Sequence, residues 1–151
     1  MKIEHFKFET PAIIGILSDR TVSSNIRRRL DSIIKRKRLP YVCLPFKVES
    51  KHLKNVIACM RLMDIAGLIV IGSHSKRIRR FIPRLDGGSK KSGIVNAVKR
   101  QRKEFHGYCV NDGPSFYMDA VNLLTSKSPS FVRPRRIRLR RIRRSDVKSS
   151  P

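Results

Sequence analysis

Acidic side chains are scarce in this sequence: 11 Asp and Glu stand against 35 Lys and Arg in 151 residues, a formal charge of +24. That balance is too lopsided for an ordinary cytosolic enzyme and points to contact with phosphates or other anions. Long apolar runs are missing too, which excludes a membrane-spanning helix, and Glu4 and Glu9 argue against a transit peptide. Cys43, Cys59 and Cys109 are odd in number, far apart and outside any CxxC arrangement, which disfavours a disulfide framework and a zinc site. The expectation is a soluble chain in a reducing cytoplasm. His5, His52, His74 and His106 lack the H-E-x-x-H spacing of a metal site and read as surface or loop residues. No G-x-S-x-G elbow is found, and Cys43 and Cys109 lie in apolar strand candidates, where an inert buried thiol is expected.

A foldable core is nevertheless present, because 40% of the residues are hydrophobic and they recur at regular spacing. The length leaves room for one domain and a tail. Ala12 to Ile16 reads as a short buried strand, and Ile26, Leu30, Ile33 and Ile34 then mark one face of a helix that Ser23 or Ser24 caps and Leu39-Pro40 ends. Its other face carries Arg27, Arg28, Arg29, Lys35, Arg36, Lys37 and Arg38. Tyr41 to Leu44 reads as a second strand, and Leu53, Val56, Ile57, Met60 and Met63 as a second helix. Leu68 to Ile71 forms an unbroken apolar run of the kind parallel strands show. Two further strand candidates, at residues 93–98 and 105–110, flank a basic turn and suggest a hairpin; Ser115 to Leu124 reads as a final helix. Alternating strands and helices predict a three-layer α/β domain with a mostly parallel sheet over about residues 10–124, followed by a flexible Arg-rich tail over residues 126–151.

Four short blocks carry a family resemblance. Gly15-Ile16-Leu17-Ser18-Asp19-Arg20-Thr21-Val22-Ser23-Ser24 parallels a strand ending in G-x-P-x-x-H-S-x-S-P, keeping the glycine and both hydroxyl positions. Gly67 and the run to Lys76 parallel G-x-N-V-T-x-P-x-K, with Ser75 at the lysine position unless one residue is inserted. Gly93, Val95 and Asn96 match G-A-V-N-T, and Asp112-Gly113-Pro114-Ser115-Phe116 parallels G-x-N-T-D-G-x-G-F. In this order and at these separations the blocks resemble the N-terminal, substrate-binding domain of shikimate dehydrogenase.

The resemblance implies that Thr21 and Ser23 hold a carboxylate, that Asn96 hydrogen-bonds a substrate hydroxyl, and that Lys76 and Asp112 stand at the proton-transfer pair of an NADP-dependent shikimate 3-dehydrogenase. The implied partner is a small polyhydroxylated carboxylate. The family's NADP-binding domain uses a glycine-rich turn, and no glycine follows Gly113, so no cofactor is expected on this chain itself; a separate chain is one source of that half. The other reading is a basic nucleic-acid-binding protein acting through Arg133, Arg135, Arg136, Arg138, Arg140, Arg141, Arg143 and Arg144 by counterion release.

Overall fold

A computed structural model describes residues 10–126. Six strands form one sheet in the order β2-β1-β3-β5-β6-β4. They are β1 (Ala12–Ser18), β2 (Tyr41–Lys47), β3 (Ile65–Val70), β4 (Arg84–Leu85), β5 (Ala97–Gln101) and β6 (Glu104–Tyr108). β1 pairs in parallel with β2 and β3, and β4 with β6; β5 runs antiparallel between β3 and β6. The helices are α1 (Ser24–Arg36), α2 (Leu53–Leu62), α3 (His74–Arg77), α4 (Gly87–Ser92) and α5 (Phe116–Thr125).

The three layers follow from which side of each strand is apolar. Ile14, Ile16, Cys43, Ile69 and Ala97 pack with Leu30, Ile33 and Ile34 of α1 and with Phe116, Ala120, Val121 and Leu124 of α5. On the opposite face, Leu17, Leu68, Val70 and Val98 pack with Leu53, Ile57 and Met60 of α2 and with Ile78 and Ile82. The α1 periodicity therefore sets its contact face. Ser23 caps it, its Oγ accepting from the Ile26 N–H at 3.4 Å. At the other end the Leu39 N–H bonds back to the Ile34 carbonyl and the Arg38 N–H to that of Lys35, a six-residue closure with Arg38 at φ 51°.

Burial has a chemical consequence on this face. Loss of solvent, and then the charge of Asp31, push the Cys43 thiol up to about 12, whereas Cys59 on α2 is exposed. Iodoacetamide at pH 8 is expected to label Cys59 first and to reach Cys43 only after unfolding, as read by peptide mass spectrometry. Rapid labelling of Cys43 in the native protein would mean that the α1 face is open.

Several elements depart from the sequence expectations. The fifth strand starts at Ala97 rather than Gly93, because Gly93 is the left-handed cap of α4 (φ 73°) and residues 94–96 form a connection. α4 itself was unforeseen: Gly87-Gly88-Ser89 carries no apolar pattern, yet the Asp86 carboxylate accepts from the Ser89 N–H at 2.7 Å and starts a helix. The basic stretch after Ser73 also hides buried groups, Ile78 and His74. His74 is thus not a surface residue; its Nε2–H donates to the Val48 carbonyl at 2.6 Å and ties α3 to the end of β2. The hairpin is present, as β5 and β6 joined through Arg102 in the left-handed region.

β2 is an edge strand. Pro40 and Val48 turn their backbone groups to β1, bonding Ala12 N–H and the Ser18 carbonyl, so even-numbered residues of β2 face the sheet. Pro45 therefore places its missing N–H on the outer edge.

Candidate functional site

β1 leads through α1 to β2 on one side, while β3 takes the place on the other side of β1. Open α/β sheets bind ligands at such a switch, beyond the carboxyl ends of the strands. Two recesses lie there and share Ile71 and Gly72 as a common wall. The first, about 380 Å³, is lined by Ser18 to Ser23, Ile26 and Ile71 to Ser73. The second, about 400 Å³, includes Ser75, Ile94, Asn96, Cys109, Asp112 and Tyr117 in its walls.

The wall between them is built tightly. Ile71 N–H continues the β3 ladder onto the Leu17 carbonyl at 2.9 Å. Gly72 then turns at φ 74°, and a side chain there would meet a carboxylate oxygen of Asp19 at 3.3 Å. The Ser73 hydroxyl donates to Asp19 at 3.0 Å and is the main cause holding the Asp19 carboxyl below the usual carboxylate range. Thr21 and Ser23 stand in the first recess, on the loop that this wall supports.

The second recess rests on Asn96, which is 8% exposed. Its backbone joins β3 to β6, the N–H donating to Tyr108 and the carbonyl accepting from Val70. Its amide clamps Val110 from both sides, Nδ2 donating to the carbonyl and Oδ1 accepting from the N–H, each at 2.7 Å. That clamp occupies one of two N–H donors and one of two lone pairs, leaving capacity toward the recess. Past Val110 the chain carries Asp112 into the wall. Arg29 of α1 then holds the loop, donating to the Pro114 carbonyl at 2.7 Å with its guanidinium 5.5 Å from the Tyr117 ring centre. Burial raises the Tyr117 hydroxyl; Arg29 opposes that push and Asp112 adds to it.

The fold thus brings Thr21 and Ser23 to one recess and Asn96 and Asp112 to its neighbour. Lys76 is different: it is exposed on α3 and lines neither recess, while Ser75 stands in the wall with its hydroxyl bonded to the Gly72 carbonyl at 2.8 Å. No hydrogen bond or ion pair joins Lys76 to Asp112 among the described residues. Cys109, expected to be buried, is half-buried and lines the second recess. Asp19, Arg29 and Tyr117 escaped the sequence reading, since each acts through a partner remote in the chain. Arg133 to Arg144 and the rest of the tail lie outside the described residues.

No protein-family model matches the sequence. Curated relatives do: the NADP(+) shikimate dehydrogenase of Dehalococcoides mccartyi is 30% identical over 102 residues, 68% of this chain and 36% of that protein. The described domain belongs to the shikimate dehydrogenase family. The corresponding enzyme of Bacillus licheniformis is 33% identical over 89 residues, 59% of this chain and 29% of that one. A crystal structure of shikimate 5-dehydrogenase from Listeria monocytogenes, in complex with shikimate and NAD, matches at 26% identity with a TM-score of 0.64. That match covers 75% of this chain and 38% of the other. The chain thus spans little more than a third of the length of the shikimate dehydrogenases it matches, in the manner of their N-terminal domain.

The described residues do not fit the dinucleotide that the family uses. A pyrophosphate needs a glycine-rich turn opening a helix after a strand. The turn after β1 contains no glycine, the one after β3 contains only Gly72, whose carbonyl is taken by Ser75, and Gly87-Gly88 after β4 open a six-residue helix whose Ser89 N–H already donates to the Asp86 carboxylate. Among the described residues no group of three or more His, Cys, Asp or Glu is placed to hold a metal ion, and no helix is long and apolar enough to cross a membrane.

Proposed function

We propose that the paired recesses bind shikimate or a closely similar polyhydroxylated carboxylate, and that the described domain acts as a substrate-binding module without carrying out oxidation itself. The observation that carries this reading is the sorting of donors and acceptors across the shared Ile71–Gly72 wall. Hydroxyls of Thr21 and Ser23 stand on one side to meet a carboxylate; the amide of Asn96 and the carboxylate of Asp112 stand on the other to meet alcohols. Membership of the family supports the same assignment.

Proton transfer is another matter. A base for the oxidised hydroxyl must lie within hydrogen-bond reach of it. The group on the wall at that place is the Ser75 hydroxyl, which donates to a backbone carbonyl, while the Lys76 ammonium stands in solvent. Serine without an adjacent base does not take a proton near neutrality. Hydride transfer would also require a nicotinamide held by residues other than those described.

Calorimetry of the full chain with shikimate and with quinate tests the reading. Saturable binding is expected, and Thr21→Val should weaken it by about tenfold or more, since a hydrogen bond to a charged group contributes roughly 1.5–3 kcal/mol. The variant leaves the Ser23 cap of α1 intact. Absence of saturable binding at millimolar ligand, or unchanged affinity in Thr21→Val, would overturn the proposal. Chain, shikimate and NADP together are expected to give no NADPH absorbance.

A further inference from the structure

Residues 10–126 hold 23 lysines and arginines against eight carboxylates. Among the described residues, the Lys and Arg side chains in ion pairs are Lys51, Arg84 and Arg100. The excess is concentrated on α1 and the two residues after it. Arg27, Arg28, Arg29, Lys35, Arg36, Lys37 and Arg38 are all exposed there, with Asp31 as the sole acid. Two of the seven have inward tasks: Arg29 holds the Pro114 loop, and Lys37 donates to the Asn122 amide oxygen on α5.

Helix geometry arranges the others. Leu30, Ile33 and Ile34 fix the buried side. At about 100° and 1.5 Å per residue, Arg28 and Lys35 project in nearly the same direction, about 10 Å apart along the axis, with Arg27 and Arg36 flanking them. The outward face therefore reads Arg28, Asp31, Ser32, Lys35, Arg36, with the exposed Arg27 at its margin beside the direction of Ile34, and it has no aromatic side chain. Inside the chain this pattern is unfavourable. Arg27, Arg28 and Arg29 stand side by side just after the first turn, which contains no acid to balance them, although Lys35 and Arg36 in the last turn suit the helix dipole. Asp31, four residues from Arg27 and from Lys35 and three from Arg28, is the one acid on α1 and offsets only part of that repulsion, which an external polyanion would relieve further.

We propose that the outward face of α1 is a docking surface for the phosphate backbone of a nucleic-acid duplex. The charge complementarity is direct, and the major groove of B-form DNA is wide enough to admit a helix, which favours DNA over the deep, narrow groove of A-form RNA. Duplex is favoured over single strand because the face offers no ring for base stacking. Recognition rests on phosphates, so it is insensitive to sequence and steeply dependent on salt. The surface belongs to the folded domain, and Arg27, Arg28, Lys35 and Arg36 line neither of the paired recesses.

The test uses the full chain with 20-bp DNA and RNA duplexes, fluorescence anisotropy being read at several salt concentrations. The key variant is Arg27→Gln, Arg28→Gln, Lys35→Gln and Arg36→Gln together, glutamine being an adequate helix former. It is expected to lose at least tenfold in affinity and to flatten the log–log salt slope by about 3, at roughly 0.9 per phosphate contact. A control removing the same charge elsewhere, Arg80→Gln, Lys90→Gln, Lys91→Gln and Lys103→Gln, is expected to change the slope by less than about 1. Equal losses in both variants, or an unchanged slope in the α1 variant, would overturn the proposal. Preference of the chain for phosphatidylglycerol vesicles over either duplex would also overturn it. Amide shifts of the unsubstituted chain during duplex titration provide a readout independent of the variants: they should concentrate on residues 24–38, and their absence there would count against the surface.

Discussion

Replacing Asn96 with alanine is expected to lower the folding stability of the domain by about 2–4 kcal/mol. The substitution deletes two hydrogen bonds of 2.7 Å and leaves the Val110 N–H and carbonyl without their partners where the connection after β6 closes on the sheet. Stranding a fully buried group costs roughly 1–3 kcal/mol, and for the half-buried Val110 the lower part of that range applies to each of the two. Asn96→Asp keeps an acceptor for the Val110 N–H but sets a second oxygen against the Val110 carbonyl, so it should recover only part of the loss. Thermal and urea melts of both variants decide this, with a midpoint drop on the order of 10 °C expected for alanine. A change below about 0.5 kcal/mol would show that the clamp contributes nothing. Because Val110 leads directly to Asp112, ligand affinity in these variants has to be read on the folded fraction.

Gly67→Val is expected to cost about 3 kcal/mol or more, even though valine is among the best strand formers. A Cβ at Gly67 would lie 2.9 Å from the Val98 carbonyl oxygen and 2.9 Å from a Leu124 methyl. The leucine can rotate, but the oxygen belongs to the backbone of β5, next to β3, and cannot yield without disturbing the ladder. Gly67→Ala meets the same oxygen and should lose roughly 1–3 kcal/mol. Gly113→Ala is the control, since nothing lies within 4 Å of that position, and its stability should stay within about 0.5 kcal/mol. Chemical denaturation of the three proteins measures the difference. If Gly67→Val melts like the parent, α5 does not sit against β3 as described. A glycine that the sequence offers as part of a substrate block is thus accounted for by packing.

Elements whose pattern is local were legible in the sequence: the apolar run of β3, the 3.6-residue spacing of α1, α2 and α5, and the basic turn between β5 and β6. Residues 74–92 were not, because their order comes from single events with no periodic trace. One is the burial of His74 against Val48; another is the Asp86 cap that turns Gly-Gly-Ser into a helix. The candidate site shows the same division. Thr21, Ser23 and Asp112 sit in connections that the strand pattern already locates, whereas Asn96, read as part of a strand over residues 93–98, lies in the connection before β5. The choice between Ser75 and Lys76 depends on helix geometry: neighbours on α3 point about 100° apart, so a shift of one residue turns the ammonium away from the recess. Arg29 was invisible for a different reason, since the carbonyl it supports is 85 residues away.

Pro45 has a consequence beyond the geometry of β2. A sheet with two open margins is a template on which other chains can add strands. Here one margin is β4, two residues long and bearing Arg84, and the other carries a proline where an incoming strand would need a donor. Val42 and Leu44, exposed on the same strand, would otherwise make that margin adhesive. Colloidal behaviour during folding at high concentration, rather than melting temperature, is therefore the property in which the value of this proline is to be found.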